Sequence, residues 1–305
     1  MSIVRINPSM DNSALRELLF SGELILFTEL SMVKELVNHT RRELESLFHP
    51  HDPQQAHVHF SPSELAEMLS AWKPRFMRLP ESLRLSKAVL TEIGFSPSTT
   101  HYDFLKPRTS YPVGHLTTGI AYAFPWHRDT WYAAARQQIN LWFPIWDVRP
   151  DNAMGFDPGG FAQKVPNNSH EFDYYRRNVE RQSLASVTGK DVRAQPGAID
   201  WQVAHEDILL IAPGQILLFS ADQLHRSIPN TSGLSRYSVD YRVVDVTDIE
   251  AGRGAPALDI ACTGTAIRDF KRVLDDGPMP EHCVLALEPD GPTDGDGALT
   301  FSPPA

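Results

Sequence analysis

The chain has 305 residues, 42% hydrophobic and 22% charged, so it carries enough apolar side chain for a sizeable core. Its 38 acidic against 28 basic residues leave a formal charge of -10, which disfavours nucleic acid or an anionic membrane as a main partner, because both reward a basic face. Two cysteines, Cys262 and Cys283, do not make a disulfide framework, and neither a signal peptide nor a long apolar run stands out. A soluble cytoplasmic protein is the expectation; composition is silent on oligomeric state.

Residues 13–20 read as a short helix and 23–28 as a strand. Ser31 is placed to cap a helix in which Met32, Val33, Leu36, Val37, Leu44, Leu47 and Phe48 recur at helical spacing. The loop that follows holds His49, His51, His57 and His59; His57 and His59 on a strand would point the same way, yet no carboxylate pattern accompanies them. Ser61, Pro62 and Glu64 form a capping box for a helix that Pro74 is expected to stop near Trp72. A further helix spans 81–93, ended by Gly94.

From Thr99 the character changes to short alternating, aromatic-rich segments, and strands are expected at 100–106, 115–124, 137–146, 207–211, 215–219 and 234–244. Helices first and strands afterwards, with no linker between, predict a mainly β, α+β unit with a jelly-roll core and the N-terminal helices packed on its sheet. The expected domain covers 1–286: a helical part at 1–98, a core at 99–246 interrupted by a lid at 149–199, and an extension at 247–286. Residue 287 onward, rich in Pro, Gly and Asp, reads as a disordered tail.

The chemistry-bearing stretch lies late. Pro213 and Gly214 turn into an apolar strand, a polar corner delivers His225, and the next strand places Arg236, Ser238, Asp240 and Arg242 on one face. An upstream partner is available in Trp126, His127, Arg128 and Asp129 at the end of another strand-like run. On a strand, residues two apart project to the same side, so His127 and Asp129 can share a ligand. His101 with Asp103, and His205 with Asp207, fit the same bare triplet. His205 stands too close to His225 for the intervening strands; His101 remains the alternative.

These words resemble the iron(II)- and 2-oxoglutarate-dependent dioxygenases of the phytanoyl-CoA dioxygenase-like branch: His-x-Asp, a distal His, an Arg about ten residues on, Pro-Gly before the distal strand, and His-x-Ser-x-x-Asn-x-Ser from His225 to Ser232. The resemblance runs to about Val246 and implies a double-stranded β-helix. It implies that His127, Asp129 and His225 bind Fe(II) on one octahedral face, leaving positions for 2-oxoglutarate and O2. Arg236 then grips the far carboxylate of the keto acid, Ser238 adds a hydrogen bond, and Asn140 holds the first carboxylate. Halogenation is disfavoured because Asp129 occupies the position that related halogenases leave open. The implied reaction oxidises an unactivated C–H bond, most simply by hydroxylation, with succinate and CO2 released. Tyr122, Trp131, Tyr132 and Trp142 are the candidate substrate contacts; core packing is the plainer reading of each. A cupin-type enzyme using no keto acid and a catalytically silent binding module are the rival readings.

Overall fold

The structure, a computed structural model, describes residues 2–112, 124–176 and 195–288. Its N-terminal part comprises β1 (Val4–Ile6), α1 (Asn12–Phe20), β2 (Leu24–Phe27) and α2 (Ser31–Phe48). Ser31 is not the cap of α2 but its first helical residue. Glu92 accepts from the backbone N–H groups of Ser31 and Met32, both at 2.8 Å, so a neighbouring helix satisfies those donors. The next helix, α3 (Pro62–Arg78), opens with the capping box of Ser61 and Glu64 but runs through Pro74. Trp72 and Phe76, both buried, anchor its last turns in the core. Each such burial contributes about 1.5–3 kcal/mol, enough together to offset the roughly 3 kcal/mol that an interior proline costs. After α4 (Pro80–Ile93), Gly94 adopts φ +102° and ends the helix. His57 and His59 lie on a single helical turn, Ala56–His59, rather than on a strand.

The strands that follow are β3 (Thr100–Tyr102), β4 (Lys106–Ser110), β5 (Ile139–Pro144), β6 (Met154–Phe156), β7 (Asp207–Leu209), β8 (Ile216–Ser220), β9 (His225–Ser227), β10 (Arg236–Asp245) and β11 (Lys271–Arg272). The strand expected at 100–106 is thus two strands, and the one at 115–124 falls outside the described residues except for Phe124. The large sheet runs β1-β2-β8-β5-β10-β3-β11, with β4 also on β10, and β7-β6-β9 forms a small second sheet. Apart from the parallel pair β1–β2, the ladders are antiparallel. The fold is mixed, with helices beside mostly antiparallel sheet. Because β6 lies within the segment expected to be a lid, residues 154–156 belong to the scaffold instead. Residues 177–194 of the expected lid lie outside the described residues, as does the tail from 289.

Period-two alternation gives the large sheet two faces of different character. Ile139, Leu141, Phe143, Ile216, Leu218, Tyr237, Val239, Tyr241 and Val243 enter the core made with α1, α2, α3 and α4. The opposite face sends Trp142, Leu217 and Phe219 against Met154 and Phe156 of the small sheet. Arg236, Ser238, Asp240 and Arg242 share that second face of β10, so charge is confined to the gap between the sheets. No helix among the described residues is long and apolar enough to cross a membrane.

Two short helices, α5 (Val246–Glu250) and α6 (Glu281–Leu287), belong to the C-terminal extension. Arg16 of α1 reaches Asp248 of α5, Nε to Oδ2 at 2.5 Å, with both groups buried. Arg253 also binds Asp248, Nη2 to Oδ1 at 2.7 Å, so Arg16→Met removes a charged hydrogen bond without stranding the acid and is expected to lower unfolding stability by about 1.5–3 kcal/mol in urea denaturation. A loss below about 1 kcal/mol would mean that the pair contributes little to docking the extension.

Candidate active site

The site is built where the small sheet meets residue 127. His127 and His225 exchange backbone hydrogen bonds, N–H to C=O at 2.9 and 3.0 Å, as a closely spaced antiparallel pair. Their rings lie 4.2 Å apart, centroid to centroid. Each ring is turned by the same local device. His127 Nδ1 sits 2.8 Å from Pro125 O, and His225 Nδ1 sits 2.9 Å from Gln223 O. A carbonyl can only accept, so both Nδ1 atoms carry the proton and both Nε2 atoms present lone pairs.

Asp129 completes the group: Asp129 Oδ1 stands 3.6 Å from His127 Nε2, and the ligand atoms of His127, Asp129 and His225 lie within 4.8 Å of one another. Burial, then the neighbouring His225, pushes the His127 imidazole down to about 3, and burial likewise lowers His225. Burial pushes the Asp129 carboxyl up, but the opposing pull of Arg242 and of the two imidazoles holds it below its usual value. Two neutral nitrogens and one anionic oxygen converging from one side is the donor set that suits non-haem Fe(II).

Neighbours fix the carboxylate. Asn140 Nδ2 donates to Asp129 Oδ2 at 2.9 Å, while its own Oδ1 accepts from Gln138 Nε2 at 2.9 Å. Asn140 was expected to hold the keto acid; its amide is engaged at both ends in orienting Asp129. Arg242, opposite Asn140 in the sheet register, brings Nε to 3.6 Å from the same Oδ2. Arg242 is held in turn by Asp103 at 3.2 Å and Asp240 at 3.2 Å, and Asp240 also binds Arg108. Asp103, weighed earlier as a ligand with His101, anchors this chain of charges. Sequence reasoning placed Arg242 on the right face but gave it no role.

Farther along β10, Arg236 is buried and differs from Arg242 in having no acid beside it among the described residues. Its Nη1 donates to Asn152 O at 2.7 Å and Ala153 O at 3.1 Å, while Nε has no partner among the described residues. Burial alone lowers the guanidinium to about 10, so it stays charged near neutrality. The hydroxyls of Ser238 and of Ser110, which stands opposite Arg236 in register, are also buried without partners. Three orphaned donors on adjoining positions form a ready cradle for a carboxylate. Arg236 thus meets the chain at Ala153, just before β6, the strand whose Phe156 pairs with His225.

The remaining candidates separate. Tyr132 stands edge-on to His127, centroids 5.6 Å apart, and donates to Pro196 O at 2.8 Å. Trp131 exposes 0% of its surface and its Nε1 donates to Asp259 at 2.8 Å, so it packs in the core rather than facing a substrate. Trp142 is likewise buried between the sheets, and Tyr122 lies outside the described residues. Arg128, between the two proximal ligands, turns away from them: its Nη2 donates to Gly160 O at 2.7 Å and Gln163 O at 2.9 Å, and its Nε lies 3.3 Å from Asp259. His101 and His205 stay outside the convergent group, and among the described residues the four-histidine loop forms no metal-ligating cluster.

Residues 102–238 match the family described as Phytanoyl-CoA dioxygenase (PhyH), a span that includes His127, Asp129, His225, Arg236 and Ser238. That span, a little under half of the chain, is similar to the phytanoyl-CoA dioxygenase family. The match indicates an oxidoreductase whose metal is Fe(II) and whose co-substrate is 2-oxoglutarate. No curated protein matches it. Among solved structures, EvdO2 from Micromonospora carbonacea var. aurantiaca, also solved with 2-oxoglutarate, is similar at 12% identity and TM-score 0.45, covering 80% of this chain and 94% of that one. The epimerase SnoN of nogalamycin biosynthesis is similar at 13% identity and TM-score 0.41, over 86% of this chain and 99% of that chain. The carbocyclase SnoK of the same biosynthesis gives 12% identity and TM-score 0.40, over 81% and 93%.

The geometry makes two predictions. Asn140→Ala frees Asp129 to rotate, and Mn(II) affinity, measured by calorimetry without oxygen, is expected to fall about 10–100-fold; an unchanged dissociation constant would deny Asn140 its positioning role. The second concerns pH. Both imidazoles are neutral in the folded, metal-free protein and titrate near 6.5 when unfolded, so protonation favours the unfolded chain. The contribution of His127 is fully present above about pH 6.5 and is lost as pH falls toward about 3, at up to about 1.4 kcal/mol per pH unit, and that of His225 is lost in the same direction. Denaturation of metal-free His127→Asn should show a shallower acid slope than the parent; equal slopes would contradict a buried neutral ring.

Proposed function

We propose that this protein hydroxylates an unactivated C–H bond of a small metabolite or natural-product intermediate, in a pocket between two sheets that are the halves of a double-stranded β-helix. The observation that carries this reading is the buried, acid-free guanidinium of Arg236 in the same inter-sheet gap as the His127, Asp129 and His225 group. A cupin-type enzyme using no keto acid has no need for such a cation, whose burial is costly without a counter-ion.

Nε2 of His127, Nε2 of His225 and Oδ1 of Asp129 would hold the iron. When bound, the ferrous ion with 2-oxoglutarate supplies O2 activation coupled to loss of CO2 and formation of succinate, which drives the oxidation. Everything else falls to the chain's own side chains. Arg236 binds the distal carboxylate by a charge-assisted contact, aided by the hydroxyls of Ser238 and Ser110. Asn140 and Arg242 keep Oδ2 of Asp129 engaged, so that a single oxygen faces the metal. Phe124, Tyr132 and Phe172, ringed beside His127, exclude water and offer an apolar wall to the substrate. The acidic chain favours a small molecule over a nucleic acid or an anionic membrane surface.

Succinate release from protein reconstituted with Fe(II), 2-oxoglutarate and ascorbate tests the reading against a panel of small molecules. Iron-dependent turnover of the keto acid supports it, oxygen use without keto acid favours the cupin-type enzyme, and no turnover with any substrate favours a silent binding module. Arg236→Lys is expected to raise the keto acid's KM at least about tenfold, some 1.4 kcal/mol, because an ammonium lacks the planar double donor. Its Mn(II) affinity should match that of the parent. An unaltered KM would remove Arg236 from the co-substrate site.

A further inference from the structure

Away from the inter-sheet gap, the C-terminal extension gathers three donors of different kinds. Glu250 ends α5; His282 and Cys283 lie in the first turn of α6. Their ligand atoms lie within 4.8 Å of one another, and among the described residues the only other metal-ligating group of three is the one already described. His282 Nε2 stands 2.9 Å from Glu250 Oε1 and 3.3 Å from Cys283 Sγ.

Hydrogen bonding does not satisfy this arrangement. A proton on Nε2 goes to the carboxylate, leaving the buried thiol without an acceptor. A bare Nε2 accepts from the thiol, leaving the carboxylate facing a lone pair. In either state the conflict stands, one of the three groups being left without a matching partner among the described residues. A cation at the centre removes it, since all three groups then point electron pairs at one positive charge. The spacing suits such an ion: in a tetrahedral site with Zn–N of about 2.0 Å and Zn–S of about 2.3 Å, nitrogen and sulfur lie about 3.5 Å apart. The sulfur is buried, while the side chains of His282 and Glu250 are 63% and 49% exposed, which leaves solvent access for a fourth ligand.

We propose that Glu250, His282 and Cys283 form a second metal site, taking zinc or a comparably thiophilic divalent ion, distinct from the iron site. The thiolate discriminates against Mg2+, Ca2+ and Mn2+, which prefer oxygen donors. The ion would cross-link α5, the direct continuation of β10, to α6 at the end of the extension. It would thereby brace the segment whose Asp259 holds Trp131 and Arg128 beside the proximal ligands.

Titration of the metal-free protein with Co(II) tests this, read by the near-ultraviolet charge-transfer band that only thiolate ligation produces. The parent is expected to bind two equivalents, one of them with the band. His282→Gln, a change at an exposed side chain that leaves the core intact, should lose the band and one equivalent; His127→Ala should lose the other equivalent and keep the band. Cys262→Ser controls for the second cysteine and should keep both. Absence of the band in the parent, or its survival in both His282→Gln and Cys283→Ser, overturns the proposal. Neither result bears on succinate release, so this site and the oxygenase reading fail separately.

Discussion

Two reciprocal backbone hydrogen bonds between His127 and His225 are the constraint on which the rest depends. They bring together segments far apart in the chain and hold their rings side by side at 4.2 Å. Each ring is locked by a carbonyl two residues earlier, Pro125 for one and Gln223 for the other, so register and ring orientation are set together. The cost is considerable, because two imidazoles are desolvated with their lone pairs facing each other and a carboxylate. Such an arrangement is poor as structure and apt as a ligand set, where the metal's charge replaces the lost water.

Buried arginines divide along the same line. Arg16 meets Asp248, Arg128 meets Asp259 and backbone carbonyls, and Arg242 lies among Asp129, Asp103 and Asp240. Each is compensated from within the chain and ties elements together. Arg236 has two carbonyls and no acid, with two buried hydroxyls idle beside it. Among the described residues no acid compensates it, and it lies within the span, residues 102–238, that matches the phytanoyl-CoA dioxygenase family.

Much of the frame was legible because local chemistry announces it. The Ser61–Glu64 box and Gly94 mark helix ends through their own side-chain and backbone needs, and alternation along 234–244 separates Tyr237, Val239 and Tyr241 from the charged face. Errors arose where a distant partner overrules local preference. Glu92 caps a helix that Ser31 was expected to cap, and core burial of Trp72 and Phe76 carries a helix past Pro74. Met154, Gly155 and Phe156 are too few to show a period, so β6 passed for part of a lid although it pairs with the strand of His225.

The candidate residues were within reach of the sequence alone: a His-x-Asp, a later His and an Arg on a strand face are chemical words whose spacing is preserved along the chain. Which Asn or Arg lies against Asp129 and which lies apart from it was decided only by the tertiary structure. Asn140, Arg242 and Arg236 all belong to strand faces turned toward the same gap, and strand periodicity makes such positions equivalent. Cross-strand register broke the equivalence by setting Asn140 and Arg242 against Asp129, and Arg236 against Ser110. Register is a relation between segments, so no single stretch of residues encodes it.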